Sequence, residues 1–387
     1  MDFDLAVIGA GPIGLALAID LADTGLRVAL IDRQSAAALQ SPAFDGREIA
    51  LTHRSIRQLD RLGVWGRIPA DDISPLRAAR VVNGASAHFL DFSLPGPRHD
   101  PLGQLVPTSA IRRALFDTAS SHRHIGWFAG AAVETTVMTA QAVQLGLASG
   151  ERIRSRLLVA ADARLSDTRR RQGIAAAMTD FGKVMLVCRM SHARPHDQIA
   201  TEWFGYGQTI ASLPLNGATS SVVLTLPAAE TDRLMALDET RFATEIGRRL
   251  AGRLGAMRLA STRHCYPLIA VYADRFAGPR FALIGDAAVG MHPVTAHGFN
   301  LGLLGQETLA AQLRLAAQRG ADIGAPGPLR RYEAAHRRAS RPLYLATNAI
   351  ARLYTDDRGP ARFLRGAALR AAQHLPLVRR GILAQLA

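Results

Sequence analysis

The sequence predicts an α/β protein: a parallel-sheet domain interleaved with a mainly β-sheet layer and finished by helices towards the C-terminal end. Three observations carry this. An apolar run at residues 3–8 is followed by a glycine-rich turn, a helical pattern and a second apolar run ending at Asp32, a complete βαβ unit in about 30 residues. Stretches at 76–106, 125–160 and 181–227 alternate in the manner of short strands. Everything after the breaker-rich stretch 321–328 (ADIGAPGP) reads as helix.

Residues 3–8 (FDLAVI) are apolar without alternation, as a strand buried on both faces requires. Residues 15–22 carry apolar side chains and alanines all round, the pattern of a buried helix, and Gly25 ends it. Residues 27–31 (RVALI) form the next strand. Asp45-Gly46-Arg47 then precedes a helical pattern over 55–62. Residues 108–120 read as a helix capped by Thr108 or Ser109. Strands are expected at 157–160, 184–188, 208–213 and 221–226, and a helix over 231–254. Residues 280–284 (RFALI) form another buried strand, which runs into Gly285-Asp286-Ala287-Ala288, and a long helix opens at Gly298.

The 387 residues correspond to two or three domains, and 48% apolar with 20% charged residues is an ordinary globular composition. Lys plus Arg number 46 against 32 Asp plus Glu, a formal charge of +14, yet Lys183 is the only lysine. An arginine-rich composition accounts for this as readily as an anionic partner does. No zinc-finger or RNA-binding signature and no basic tract interleaved with aromatics is present, so nucleic acid is not expected as a partner. Arginines are densest after Arg330 (Arg337, Arg338, Arg341, Arg352, Arg362, Arg365, Arg370, Arg379 and Arg380), which favours a surface that meets something anionic, an anionic membrane surface being one candidate. Two cysteines, Cys188 and Cys265, make no disulfide framework and read as inert. No uncharged apolar run reaches the roughly 18 residues of a membrane span. Asp2 and Asp4 stand where a signal peptide carries positive charge, so a cytoplasmic protein is expected.

Gly9, Gly11 and Gly14 form G-x-G-x-x-G between a strand and a helix, the context in which that pattern is specific. The first glycine permits the tight turn, the second lets a pyrophosphate approach the backbone, and the third lets helix and strand pack closely. Asp32 lies 18 residues after Gly14. A carboxylate there accepts hydrogen bonds from a ribose diol and repels a 2′-phosphate, which fits FAD or NAD and leaves the two open. Three further segments favour FAD. Residues 280–300 (RFALIGDAAVGMHPVTAHGFN) place Gly285 and Asp286 at a strand end among small residues, an acceptor for a ribitol chain. His292-Pro293 and Gly298-Phe299-Asn300 lead into a helix whose amino end would stabilise the negative charge of a reduced flavin.

On these motifs the chain resembles the class A flavoprotein monooxygenases of 4-hydroxybenzoate-hydroxylase type, and within them the ubiquinone-biosynthesis hydroxylases (the UbiH, UbiF and UbiM group). Residues 280–302 match the family pattern G-D-A-A-x-x-x-x-P-x-x-x-x-G-x-N-x-G, and Asp45-Gly46-Arg47 with Ala50-Leu51 resembles D-x-R-x-x-A-L. Asp162 lies in a stretch, 161–166 with Arg169, that resembles the D-G motif, with Ala163 in place of glycine. His297 and Phe299 stand where many relatives have glutamine and leucine, and the runs 295–300 and 180–183 look most like the UbiM type. The resemblance implies that Arg47 meets the FAD pyrophosphate, that Arg112 makes a polar contact to the cofactor, and that Asp162 serves FAD and nicotinamide binding. It implies a Rossmann-like FAD-binding domain from residues 1–75, 101–179 and 271–330, a substrate domain from 76–100 and 180–270, and C-terminal helices over 331–387.

In such enzymes NAD(P)H reduces the flavin and a C4a-hydroperoxide hydroxylates an electron-rich phenol. The cofactor carries the hard chemistry, while the protein holds the ring, excludes water and helps deprotonate the phenol. No second strand–glycine–helix unit exists, so NAD(P)H is expected as a transient electron donor. No metal is implied. His292 and His297 bracket the loop expected beside the flavin and are the candidates for moving a proton, with Pro293 shaping that loop. Trp203, Tyr206 and His264 are placed in the substrate layer. The implied substrate is a hydrophobic polyprenylated phenol or quinone precursor, met peripherally at the inner membrane, and a ubiquinone-biosynthesis complex is an implied partner. Rival readings are hydroxylation of a soluble aromatic acid, a flavin-dependent halogenase, whose W-x-W-x-I motif is absent, and a non-catalytic flavin-binding redox sensor or accessory protein.

Overall fold

The computed structural model describes residues 2–84, 89–93, 101–205 and 207–355. Tyr206 and the arginines Arg362, Arg365, Arg370, Arg379 and Arg380 lie outside the described residues. The chain opens with β1 (Asp2–Ile8), α1 (Pro12–Ala22) and β2 (Val28–Asp32), then a short α2 (Ala36–Gln40). Next come β3 (Glu48–Leu51), α3 (His53–Arg61), β4 (Ser74–Leu76), β5 (Ala78–Asn83), β6 (Phe89–Ser93) and β7 (Gly103–Pro107). Helix α4 (Thr108–Ser120) leads to β8 (Ile125–Ala129), β9 (Val133–Met138), β10 (Val143–Leu147) and β11 (Arg152–Ala160). A short α5 (Asp167–Arg171) precedes β12 (Ala176–His192), β13 (Ile199–Gly205), β14 (Gln208–Pro214) and β15 (Thr219–Leu226). Then follow α6 (Ala228–Met235), α7 (Glu239–Arg249), β16 (Met257–Leu259), β17 (His264–Ala273), β18 (Ala277–Gly278), β19 (Phe281–Leu283) and β20 (Val289–Gly290). The long α8 (Gly298–Gln318) and α9 (Pro326–Thr355) complete the described part.

Strands β19, β11, β1, β2 and β8 run parallel in that order. The chain leaves β1 towards β2 and returns later to β11 on the other side, so a crevice opens at the carboxyl end of β1, where α/β sheets bind ligands. Helix α1 is buried from Gly14 to Ala22 and packs against α4 and α8, which explains its uniformly apolar sequence. A second sheet runs β20-β17-β12-β15-β14-β13-β5-β6, with β16 on β12. One face is covered by α6 and α7 through Leu186, Cys188, Ile210, Leu224, Phe242 and Ile246. The other face packs on a small third sheet, β3-β7-β4, through Leu76, Leu105, Ala200 and Leu213. Tyr332 latches α9 onto the core by donating to the Leu283 carbonyl at 2.5 Å. No helix among the described residues is long and apolar enough to cross a membrane.

Three local expectations change. The cap of α4 is Pro107, with no side-chain cap, and the Thr108 hydroxyl donates instead to the Arg47 carbonyl at 3.2 Å. The helix expected over 231–254 is two helices, because the Asp238 carboxylate accepts from the Arg241 amide at 2.8 Å and starts α7 afresh. Helix α9 already begins inside the breaker-rich stretch, at Pro326, since proline at the first helical position removes an amide that has no partner there.

Candidate active site

The turn after β1 is shaped for close approach. Gly9 has φ +108°, and a Cβ on it would stand 2.5 Å from the Ala161 carbonyl oxygen at the end of β11. A Cβ on Gly14 would lie 1.9 Å from the Gly9 oxygen. A Cβ on Gly11 would meet no protein atom within 4 Å, so the backbone there is open to close approach from outside the chain. Gly11 starts α1 without a side-chain cap, and Pro12 follows. The first-turn amides therefore face open space at the positive end of a buried helix, which fits a pyrophosphate.

Asp32 is held at the mouth of this turn. One carboxylate oxygen accepts from the Ala10 amide and the other from the Gln34 amide, both at 2.7 Å. A carboxylate has further lone pairs, so the same group braces the turn and keeps acceptor capacity for a ribose. Arg112 on α4 donates to the Gln34 side chain at 3.0 Å, which places it beside the end of β2. Arg47 is paired with Asp45 at 2.5 Å and lies over the Tyr266 ring at 5.3 Å. The Asp45 partnership raises its pKa although burial opposes this.

Residues 161–169 and 285–290 are clamped together. The Asp162 carboxylate accepts from the Ser166 hydroxyl at 2.6 Å and the Thr168 amide at 3.2 Å, fixing the turn into α5. Arg164 donates to Asp286 at 2.9 Å and to the Ile269 carbonyl at 2.6 Å. The buried Arg169 donates to the Ala287 and Arg164 carbonyls at 3.1 and 3.2 Å, and burial lowers its pKa. Ala163 is not among the residues of positive φ, so the backbone there does not call for glycine. Gly285 has φ +59°, and Ile13 of α1 lies against it.

His292 caps the short turn that begins at Pro293. Its Nδ1 accepts from the Val294 amide at 3.1 Å, which leaves the proton on Nε2, and Phe181 meets the ring edge-on at 4.6 Å. Burial, with help from the Arg164 charge, lowers its pKa from 6.5 to about 4. The ring is thus neutral near pH 7, an Nε2–H donor rather than a cation. Unfolding frees it to take a proton below its ordinary pKa, so stability falls as pH drops from about 6.5 towards 4. We expect His292→Gln to flatten the slope of unfolding free energy against pH in that window by up to one proton, read from urea titrations at each pH. His297 is the residue before α8, and Gly298 opens the helix with no side-chain cap. Asn300 ties this end to the third sheet: its amide donates to the Ala50 carbonyl at 2.8 Å and its oxygen accepts from the Thr52 amide at 3.2 Å.

The second sheet presents its inner face to this corner. Arg189 donates to the buried Glu48 at 2.8 Å, and the Tyr266 hydroxyl donates to the Asp45 carbonyl at 2.7 Å. His264 packs edge-on against Phe44 beside the 45–47 loop. Trp203, by contrast, points the other way: it donates to the Gly84 carbonyl, lies beneath Arg253 and packs on the helix-covered side. Burial pushes the Cys188 thiol up to about 12 and raises that of Cys265, so neither is a ready nucleophile.

The FAD binding domain family matches residues 2–342. Ubiquinone hydroxylase UbiM of Neisseria meningitidis is 44% identical over 387 residues, covering 99% of this chain and 84% of the relative. Ubiquinone hydroxylase UbiL of Rhodospirillum rubrum is 32% identical over 377 residues, covering 97% and 87%. The chain belongs to the ubiquinone-hydroxylase family of class A flavin monooxygenases. A flavin monooxygenase of this family takes FAD as its cofactor, and the glycine turn fits it. The fold agrees with solved flavoproteins: Pseudomonas aeruginosa PqsL in complex with 2-aminobenzoylacetate superposes with a TM-score of 0.79 over 92% of this chain and 98% of that one, at 22% identity.

Sequence reasoning left three residues of this monooxygenase without roles. Arg164 and Arg169 sit in the motif already singled out, but their clamp onto 286–287 exists only in three dimensions. Glu202 went unremarked, although a lone carboxylate in the strand IATEWFG was a visible signal.

Proposed function

We propose that the protein hydroxylates the aromatic ring of a polyprenylated phenol in ubiquinone biosynthesis. The observation that carries this reading is the identity, 44% along 99% of the chain, to a protein named ubiquinone hydroxylase. Bound FAD supplies the reducible ring that activates oxygen. Gly9, Gly11 and Gly14 with the first turn of α1 would hold the pyrophosphate, Asp32 and Arg112 the ribose end, Asp286 the ribitol chain, and Gly298 with Asn300 the flavin end. Asp162 keeps Arg164 and Arg169 aligned on that site, and Arg47 stands ready at the pyrophosphate side. His292 offers an Nε2–H to the flavin corner, Pro293 fixes the loop, and His297 borders the substrate space. The first, parallel sheet serves as cofactor domain and the second as substrate domain.

The inner face also favours an apolar substrate over a soluble aromatic acid. Its arginine, Arg189, is bound to buried Glu48 rather than left for a substrate carboxylate. The test is expression in bacterial strains each lacking one ubiquinone hydroxylase, with quinones identified by mass spectrometry. Restored ubiquinone in one strain is expected and also gives the ring position. A yellow, FAD-loaded protein that restores none would overturn the reading.

The substrate's apolarity calls for contact with its membrane. On α9, exposed Arg338, Arg341 and Leu345 are spaced i, i+3 and i+7 and share one face, basic groups beside an apolar one. We assign this face to anionic lipid. Flotation with anionic liposomes should fall severalfold in Arg338→Glu/Arg341→Glu, and unchanged flotation would remove the assignment.

A further inference from the structure

We propose that Glu202 receives the ring-hydroxyl proton of the phenol, a role that rests on the hydroxylase reading above. Strand alternation puts Ala200, Glu202 and Phe204 on the face of β13 opposite Trp203. Ala200 packs there with Leu76, Leu90 and Leu102. In register it pairs with Ala79, which lines a pocket shared with Leu102, Ala50, His297 and Asn300. Glu202 is two residues further along, about 7 Å from that rung. It therefore shares the sheet face that, two residues back, borders the pocket beside the amino end of α8, where the flavin end is assigned.

Its surroundings suit a proton acceptor. Val81 and Ala211 lie opposite it on the neighbouring strands, so the carboxyl stands in an apolar field. Protein encloses it, yet it keeps partial solvent exposure, as a group lining an internal cleft does. The Thr209 hydroxyl donates to it, and no ion pair to it forms among the described residues. A carboxyl has no structural reason to sit there, since burying one without a cation is costly. Burial lifts its pKa to about 7, partly offset by the Thr209 hydrogen bond, which strengthens it as a base.

Other titratable groups on this side are engaged elsewhere: Arg189 with Glu48, Tyr266 with Asp45, and His264 with Thr262. His297 lies across the pocket, and Lys183 donates to the Gly207 carbonyl at the turn between β13 and β14. The step is a simple transfer. The ring O–H bond breaks heterolytically, its electron pair stays on the ring oxygen, and the proton joins a Glu202 carboxylate oxygen to give a neutral carboxyl. The resulting phenolate ring is more nucleophilic towards the oxygen atom it will accept.

The test uses FAD-loaded enzyme with 2-geranylphenol and its methyl ether as probes. Wild-type hydroxylation should rise with pH through about 7 as Glu202 ionises. In Glu202→Gln the rate should fall on the order of 10²-fold or more and that limb of the pH profile should vanish. Glu202→Asp should restore part of the rate with the limb. Preferential binding of the phenol over the methyl ether should disappear in Glu202→Leu, a readout independent of turnover. FAD content and circular dichroism report on folding. A Glu202→Gln enzyme with wild-type rate and pH profile overturns the role of Glu202 alone. Wild-type enzyme that hydroxylates no phenol overturns the hydroxylase reading and this proposal with it.

Discussion

Gly14→Ala protein is expected to purify without FAD. A Cβ at this position would stand 1.9 Å from the Gly9 carbonyl oxygen, far inside contact distance, and the neighbour is backbone that cannot rotate away. Helix α1 must then move off the β1 turn by an ångström or more. The helix is packed against α4 and α8 and buried along its length, so the shift propagates into the core. Overpacking of this kind costs about 1–3 kcal/mol even where neighbours are flexible. It also moves the first-turn amides from the place a pyrophosphate needs. Gly11→Ala separates the two effects. Its Cβ would touch no protein atom within 4 Å, so the apoprotein should unfold at the wild-type urea concentration while FAD still fails to bind. The checks are the flavin-to-protein absorbance ratio and urea titrations of both apoproteins. A Gly14→Ala protein with wild-type FAD affinity would show that the turn does not serve the cofactor.

That contrast marks what the sequence makes legible. The βαβ unit is readable because the glycine turn, the buried strands and Asp32 obey local rules: a positive φ, a helix–strand approach, a carboxylate at a strand end. The boundaries of α8 are equally local, since Gly298 starts it and its apolar stripe continues to Gln318. What could not be read depends on distant pairing. Arg164 meets Asp286 across 122 residues, and Asn300 meets Ala50 across 250. Trp203 and Glu202 are adjacent in sequence, yet one serves the helix-covered face and the other the cleft. Only the register of β13 with β5 and β14 decides which is which. A shift of one residue would exchange them. The expected single helix at 231–254 failed for a local reason instead: apolar periodicity persists through Asp238, and only the cap its carboxylate forms with the Arg241 amide shows that the chain restarts.

Asp20 is the site where a change outside the binding surface should cost most. It lies on α1 with 2% of its side chain exposed, an acid in an otherwise apolar helix. Arg61 of α3 donates to both its oxygens, at 3.1 and 3.3 Å, Arg314 of α8 donates to Oδ1, and the Gln306 amide donates to Oδ2 at 2.8 Å. Gln306 is fully buried and in turn accepts from Gln58 at 2.6 Å. One carboxylate thus joins α1, α3 and α8 near the carboxyl end of α1, the end away from the glycine turn. In Asp20→Ala Arg314 loses its anion, Arg61 is left with Glu307, and a buried amide loses its acceptor. Removing one partner of such a buried pair costs about 3–5 kcal/mol. Arg61 is 43% exposed and can turn to water, which places the expected loss near about 3 kcal/mol, at the low end of that range. The measurement is a lower urea midpoint with unchanged slope. Asp20→Asn keeps the shape and one acceptor, so it should lose less. Glu307→Gln removes a neighbouring but more exposed partner of Arg61 and should cost under about 1 kcal/mol. If Asp20→Ala were no less stable than Glu307→Gln, the network would be ornament on the helices rather than the joint that sets α1 against α8. The alignment of α1 beneath the pyrophosphate would then have to come from apolar packing alone.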